Sequence, residues 1–269
     1  MDGIGVPRVV MTVKTTRLRK SGQKQIIGGR SLRHKERPVA VFDIDGTIFR
    51  SSLAIELLHE LIDIGIFPKN AKQGYERELL AWRKRKGSYE NYINKVVAVL
   101  WGNLKGVKSG VVERAAEKVL QSKRFYTYRY TRDLAKSLKK KGYFLLAISH
   151  SPRVILGPFA KRFGFDEAYG SLAETDAKGK LTGNPKNFHL IKDKGGILLR
   201  ARLRHGFTLK KSIGVGDTES DISFLKLVQY PLCFNPNMKL YREAQKRGWK
   251  IVVERKDVMY DGVRAKKVR

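Results

Sequence analysis

The chain has 269 residues, 42% of them hydrophobic, which suffices for one large domain or a core with a smaller insertion and excludes wholesale disorder. Its formal charge is +31, so its surface attracts polyanions and draws anionic substrates inward, although net charge alone specifies no partner. A single cysteine, Cys233, excludes an internal disulfide, and no stretch approaches the run of ~18 apolar residues that a membrane helix needs.

In chain order, residues 1–37 read as a basic, poorly ordered N-terminal tail, rich in Arg, Lys and Gly. Pro38-Val39-Ala40-Val41-Phe42 is too short for a helix and too apolar for a surface strand, so it reads as a buried parallel strand ending in the loop Asp43–Thr47. From Leu53 the spacing turns helical. Ile55, Leu58, Leu61 and Ile62 lie on one face, and further helices are expected over Lys72–Lys84, Tyr89–Trp101 and Val111–Ser122. Residues 53–125 thus read as an all-helical insertion, with Trp82, Tyr92 and Trp101 as core or interface residues.

A basic helix over Thr131–Lys141 precedes the apolar strand Tyr143–Ile148 and the loop Ser149-His150-Ser151-Pro152. After a helix at Val154–Phe163 come short strands or turns, then a helix over Leu190–Leu203 that Gly195-Gly196 weakens at its start. Ser212–Val215 is a third core strand, followed by a helix over Ser220–Val228. Two further strands, Tyr230–Phe234 and Lys250–Val253, flank a helix at Met238–Arg247, and residues 254–269 read as a basic C-terminal tail. Cys233 reads as a small core residue. Strands alternating with helices predict an α/β fold with a Rossmann-like parallel sheet formed by 38–52 and 126–253.

Three of these strands end in polar clusters, and open parallel sheets bind ligands at the carboxyl ends of their strands. Asp43, Asp45, Ser149, Asp217 and Asp221 are therefore expected to converge. Four carboxylates without a His or Cys cluster form a hard oxygen set suited to Mg²⁺, which shares its shell with water and substrate phosphate. Ser149 can donate a hydroxyl, with Ser151 as an alternative. Lys194 can supply a point charge, with Lys192 two residues away. A nucleophile, an acid/base partner, a cation and phosphate clamps together point to phosphoryl transfer.

Asp43-Ile44-Asp45-Gly46-Thr47, then Ser149 after an apolar strand, then Lys194, then Gly216-Asp217-Thr218-Glu219-Ser220-Asp221 resemble, in order and spacing, the four motifs of the haloacid dehalogenase superfamily. The resemblance is to its phosphoserine-phosphatase-like branch with a helical cap, and it covers about residues 38–253. It implies that Asp43 attacks phosphorus and becomes an aspartyl-phosphate, while Asp45 serves as general acid and then base. It implies further that Asp43, Asp45 through its carbonyl, Asp217 and Asp221 hold Mg²⁺. Ser149 and Lys194, with Gly46 and Thr47 of the first loop, then hold the phosphoryl group, and Thr47 also orders that loop through its hydroxyl and backbone. Phosphoserine enzymes usually carry a Glu a few residues past the motif Thr, where this chain has Ile48-Phe49-Arg50, and Ser-Gly-Gly where it has Ser149-His150-Ser151. Arg50 and His150 are therefore candidate substrate contacts, and phosphoserine is not the expected substrate.

The expectation is a cytoplasmic, Mg²⁺-dependent hydrolase of a small phosphorylated metabolite. The alternatives are a phosphotransferase or a basic nucleic-acid-associated protein on the same scaffold, with weak polyanion binding through the charged surface and no membrane partner.

Overall fold

The structure is a computed structural model and describes residues 36–186 and 191–262. Nearly all of the expected N-terminal tail, and residues 263–269 of the C-terminal one, lie outside the described residues. Arg37, expected within the tail, is anchored: its guanidinium donates to the carbonyls of Gly142 and Tyr143 and pairs with Asp166.

A seven-stranded sheet has the order β3-β2-β1-β6-β7-β8-β9. Its strands are β1 (Pro38–Phe42), β2 (Phe144–Pro152), β3 (Glu167–Ser171), β6 (Thr208–Gly216), β7 (Tyr230–Phe234), β8 (Lys250–Arg255) and β9 (Val258–Asp261). All neighbours are parallel except β8 and β9, which form an antiparallel hairpin. That hairpin occupies the start of the expected C-terminal tail. A separate two-stranded hairpin joins β4 (Ala173–Thr175) to β5 (Leu181–Pro185).

Alternation along β1 explains why both sheet faces are covered. Ala40 and Phe42 belong to one apolar cluster, Val39 and Val41 to the other. The first face carries α1 (Leu53–Asp63), α5 (Arg129–Lys140) and α6 (Arg153–Arg162); the second carries α7 (Lys194–His205), α8 (Ile222–Leu225) and α9 (Met238–Arg247). Between α1 and α5 lie α2 (Gln73–Arg83), α3 (Tyr89–Leu104) and α4 (Ser109–Ser122). The helix expected over 220–228 is a 3₁₀ turn at Glu219–Asp221 followed by the single turn α8. The strand expected to stop at Ile148 continues as β2 to Pro152. Cys233 is buried in β7, as expected, and burial pushes its thiol up to about 12.

Register sets the position of the site. Phe42 lies opposite Ala147 of β2 and Val215 of β6, so Asp43, Ile148 and Gly216 stand at one level across the sheet. The backbone N–H of Asp43 closes the ladder on the carbonyl of Val215 at 2.9 Å. The chain runs outward from β1 in both directions, β2 to one side and β6 to the other, which makes its end the switch point in strand order. No described helix is long and apolar enough to cross a membrane.

Candidate active site

Lys194 is the hub of the site. Its Nζ lies 2.6 Å from Asp43 Oδ1 and 2.6 Å from Asp221 Oδ1, and all three side chains are almost wholly buried. It is the first residue of α7, whose N-cap Asp193 accepts from the N–H of Gly196. The two glycines that weaken this helix on propensity have a packing reason. A Cβ on Gly196 would fall 2.0 Å from the Asp193 carboxylate, and one on Gly195 would press against the backbone of Ser223. Close approach at both positions seats Lys194 over the strand ends.

Oxygens of Asp43, Asp217 and Asp221 all lie within 4.8 Å of one another. Burial, with the charges of neighbouring carboxylates added to it, raises Asp43 to about 8 against the pull of Lys194. The same causes, burial first, hold Asp217 well above the ordinary carboxylate range. Such crowding calls for a proton or a cation, and three carboxylates at this spacing fit a hard divalent ion such as Mg²⁺. Asp221 also accepts from the N–H groups of Asp217 and Thr218, which shapes the loop that carries Asp217.

The Asp45 carboxylate stands apart from that trio. It accepts from the hydroxyls of Ser149 and Ser151 and from the N–H of Leu53 at the start of α1. Burial raises its pKa, and these hydrogen bonds limit the rise. Ser149, expected on a phosphoryl oxygen, is fully buried with its hydroxyl on Asp45, while Ser151 reaches the cavity.

Two other expectations need correction. Gly46 and Thr47 do not face the cavity as phosphate clamps. The Gly46 N–H donates to the carbonyls of Phe49 and Ser51, and its φ of +78° lets the loop pass Asp217, where a Cβ would sit 2.1 Å from Oδ2. The Thr47 hydroxyl donates to Asp217 at 3.3 Å. Both residues therefore position Asp217. Arg50 does not line the cavity either. It pairs with Glu254 at 2.9 Å, donates to the Thr127 carbonyl and lies over the Tyr128 ring, because Glu254 supplies a nearly buried countercharge 204 residues away. His150 does line the cavity, and burial lowers it to about 4, so it is neutral at pH 7. Lys192 lines it as well.

The carboxylates open onto a cavity of about 680 Å³. Its opposite side comes from α3, which presents Tyr89, Ile93, Val97 and Trp101 at four-residue spacing. Tyr89 stands close enough to Asp45 and Asp217 for their charges, after burial, to raise its phenol and keep it protonated. At the rim, Lys239 of α9 bridges Glu219 at 2.7 Å and Glu90 of α3 at 3.1 Å. Sequence reasoning missed Tyr89, Glu90, Glu219 and Lys239. The one available signal was a second apolar stripe on α3, offset from the core stripe Tyr92, Val96 and Leu100. Of the three aromatics read as core or interface residues, Trp82 stacks on Tyr92 at 5.7 Å, and Trp101 is buried against the cavity.

A family model for haloacid dehalogenase-like hydrolases matches residues 40–226. Among curated relatives, a histidinol-phosphatase of Neisseria meningitidis is 30% identical over 125 residues, 45% of this chain and 56% of that protein. A phosphoserine phosphatase of Methanocaldococcus jannaschii is 24% identical over 226 residues, 83% of this chain and 95% of that one. Among solved structures, a Bordetella pertussis protein of unknown function superposes with a TM-score of 0.64 at 18% identity, covering 80% of this chain and 98% of its own. A phosphoserine phosphatase bearing a phospho-aspartyl intermediate analogue gives 0.57 at 23% identity, covering 83% and 96%. These superpositions speak to the fold.

Proposed function

This chain belongs to the haloacid dehalogenase-like hydrolase family, and we propose that it is a phosphoserine-phosphatase-like member, a Mg²⁺-dependent phosphomonoester hydrolase working through an aspartyl-phosphate on Asp43. One observation carries the reading. At the switch point of the sheet, Asp43, Asp217 and Asp221 gather around Lys194, while the carboxylate two residues after Asp43 is held separately by Ser149 and Ser151.

In this mechanism a carboxylate oxygen of Asp43 attacks the substrate phosphorus and the bond from phosphorus to the alcohol oxygen breaks. Asp45, whose pKa burial raises, gives a proton to that leaving oxygen. Asp45 then takes a proton from water, whose oxygen attacks the phosphorus and releases inorganic phosphate from Asp43. Lys194 holds the Asp43 carboxylate in place and offsets negative charge beside it. Asp43, Asp217 and Asp221, with the carbonyl of Asp45, would hold Mg²⁺, which supplies charge neutralisation for the phosphoryl oxygens. The helices from α2 to α4 act as the cap, with α3 facing the substrate, and Tyr89 adds a protonated hydroxyl close to the carboxylates.

The test is release of phosphate from 4-nitrophenyl phosphate by the wild type and by Asp43→Asn, each with Mg²⁺. Loss of the nucleophile is expected to lower kcat by at least about 10³-fold. Undiminished turnover in Asp43→Asn would refute the covalent mechanism.

A further inference from the structure

We propose that the alcohol carried by the substrate phosphate is bulky and mainly apolar, and that α3 selects it; this rests on the phosphomonoester reading above. Two features of the cavity lead here.

The first is the surplus of apolar surface on α3. A helix on a globular core needs one apolar face, and α3 has it in Tyr92, Val96, Leu100 and Leu104, all buried. The second stripe, Tyr89, Ile93 and Val97, together with Ala98, lines the cavity, and Trp101, itself buried in the core, borders it at the far end. Apolar side chains lining an open cleft mark a surface that a ligand covers.

The second feature is length. Tyr89 marks the end of the stripe near the carboxylates, and Trp101 lies twelve residues further along, about 18 Å at 1.5 Å per residue. The far end is closed by the β4–β5 hairpin. Leu181 exchanges backbone hydrogen bonds with the loop after α3, and Gly183 lies so near the carbonyl of Trp101 that a Cβ would come within 3.3 Å of it. Pro185 completes the wall there. A seryl group would leave most of this 680 Å³ space to water.

The experiment compares kcat/KM for acetyl phosphate, O-phosphoserine and the n-alkyl phosphates from propyl to octyl, with Mg²⁺ and enough salt to suppress unspecific binding to the basic surface. The series is expected to climb about 3-fold per methylene, as burial of each CH₂ predicts, with octyl phosphate at least about 100-fold above phosphoserine. Val97→Asp should flatten the climb. Ala98→Phe, at a cavity-facing position outside the core, should move the optimum to shorter chains, so the inference stays testable if Val97→Asp folds poorly. A flat series in the wild type, or phosphoserine equal to octyl phosphate, would overturn the inference.

Failure of every substrate, acetyl phosphate included, would instead overturn the hydrolase reading. The wall is then judged by calorimetry with octylphosphonate against the phosphonate analogue of phosphoserine. Tighter binding of octylphosphonate, weakened by Val97→Asp, upholds the apolar class, and equal binding rejects it.

Discussion

Beneath the cavity, Asp43, Lys194 and Asp221 are almost wholly buried and bonded to one another, whereas Ile93, Val97 and Ala98 above it are half-buried or exposed and carry no polar side-chain atoms. The floor is over-determined. Every carboxylate in it answers to a lysine, a hydroxyl or a backbone N–H, and the loops bearing them are pinned by Gly46 and by the Asp221 cap. A single change there disturbs several groups together. The wall is a stripe on one helix, and a change in it alters shape and polarity without unpairing a charge. Chemistry that needs fixed atoms therefore belongs to the floor, and substrate choice, which has to vary, belongs to the wall.

Breaking the floor should give the largest effects. Lys194→Met keeps the volume and removes the charge, leaving Asp43 and Asp221 buried without their cation. A loss of about 3–5 kcal/mol is expected at pH 8 in urea unfolding, together with loss of phosphatase activity. A stability change under about 1 kcal/mol would mean that the carboxylates are solvated, contrary to their burial.

Mg²⁺ probes the same floor more gently. Asp43 is raised to about 8, so between pH 4 and 8 the folded protein holds a proton that the unfolded chain has lost. Metal-free stability should consequently fall as pH rises through this window. Mg²⁺ replaces that proton, so the gain in Tm on adding it should be larger at pH 8 than at pH 5.5. At 100 times its Kd the ion contributes about 2.7 kcal/mol. Equal gains at both pH values, followed by calorimetry, would show that the trio is not the binding site.

The smallest effect is expected where floor and wall meet. Lys239 is 63% exposed, and its bridges to Glu90 and Glu219 are screened by water. Lys239→Ala should leave the urea midpoint almost unmoved. A marked drop would mean that floor and wall are latched as one unit.

Much of the floor was legible beforehand. The apolar runs Val39–Phe42, Leu145–Ile148 and Ile213–Val215 announce buried strands by composition, and acids or serines directly after them stand at strand ends in any parallel sheet. Choosing Lys194 over Lys192 was harder, because both fall within the helix expected over Leu190–Leu203 and only the pairing of Lys194 with Asp43 and Asp221 separates them. The wall was hardly legible. Tyr89–Trp101 reads as a helix, yet helical periodicity says nothing about what lies opposite a second apolar stripe.

The amino-acid sequence by itself determined the order of strands and helices, the residues that end the strands and the hard-oxygen character of the donor set, because composition and period act over a few neighbouring positions. Tertiary structure alone decided that Arg50 turns to Glu254, that Thr47 braces Asp217, and that Tyr89 reaches the carboxylates from another element. Those pairings join residues up to 204 positions apart, and which side chain meets which is set by sheet register and helix packing, quantities that no local pattern contains.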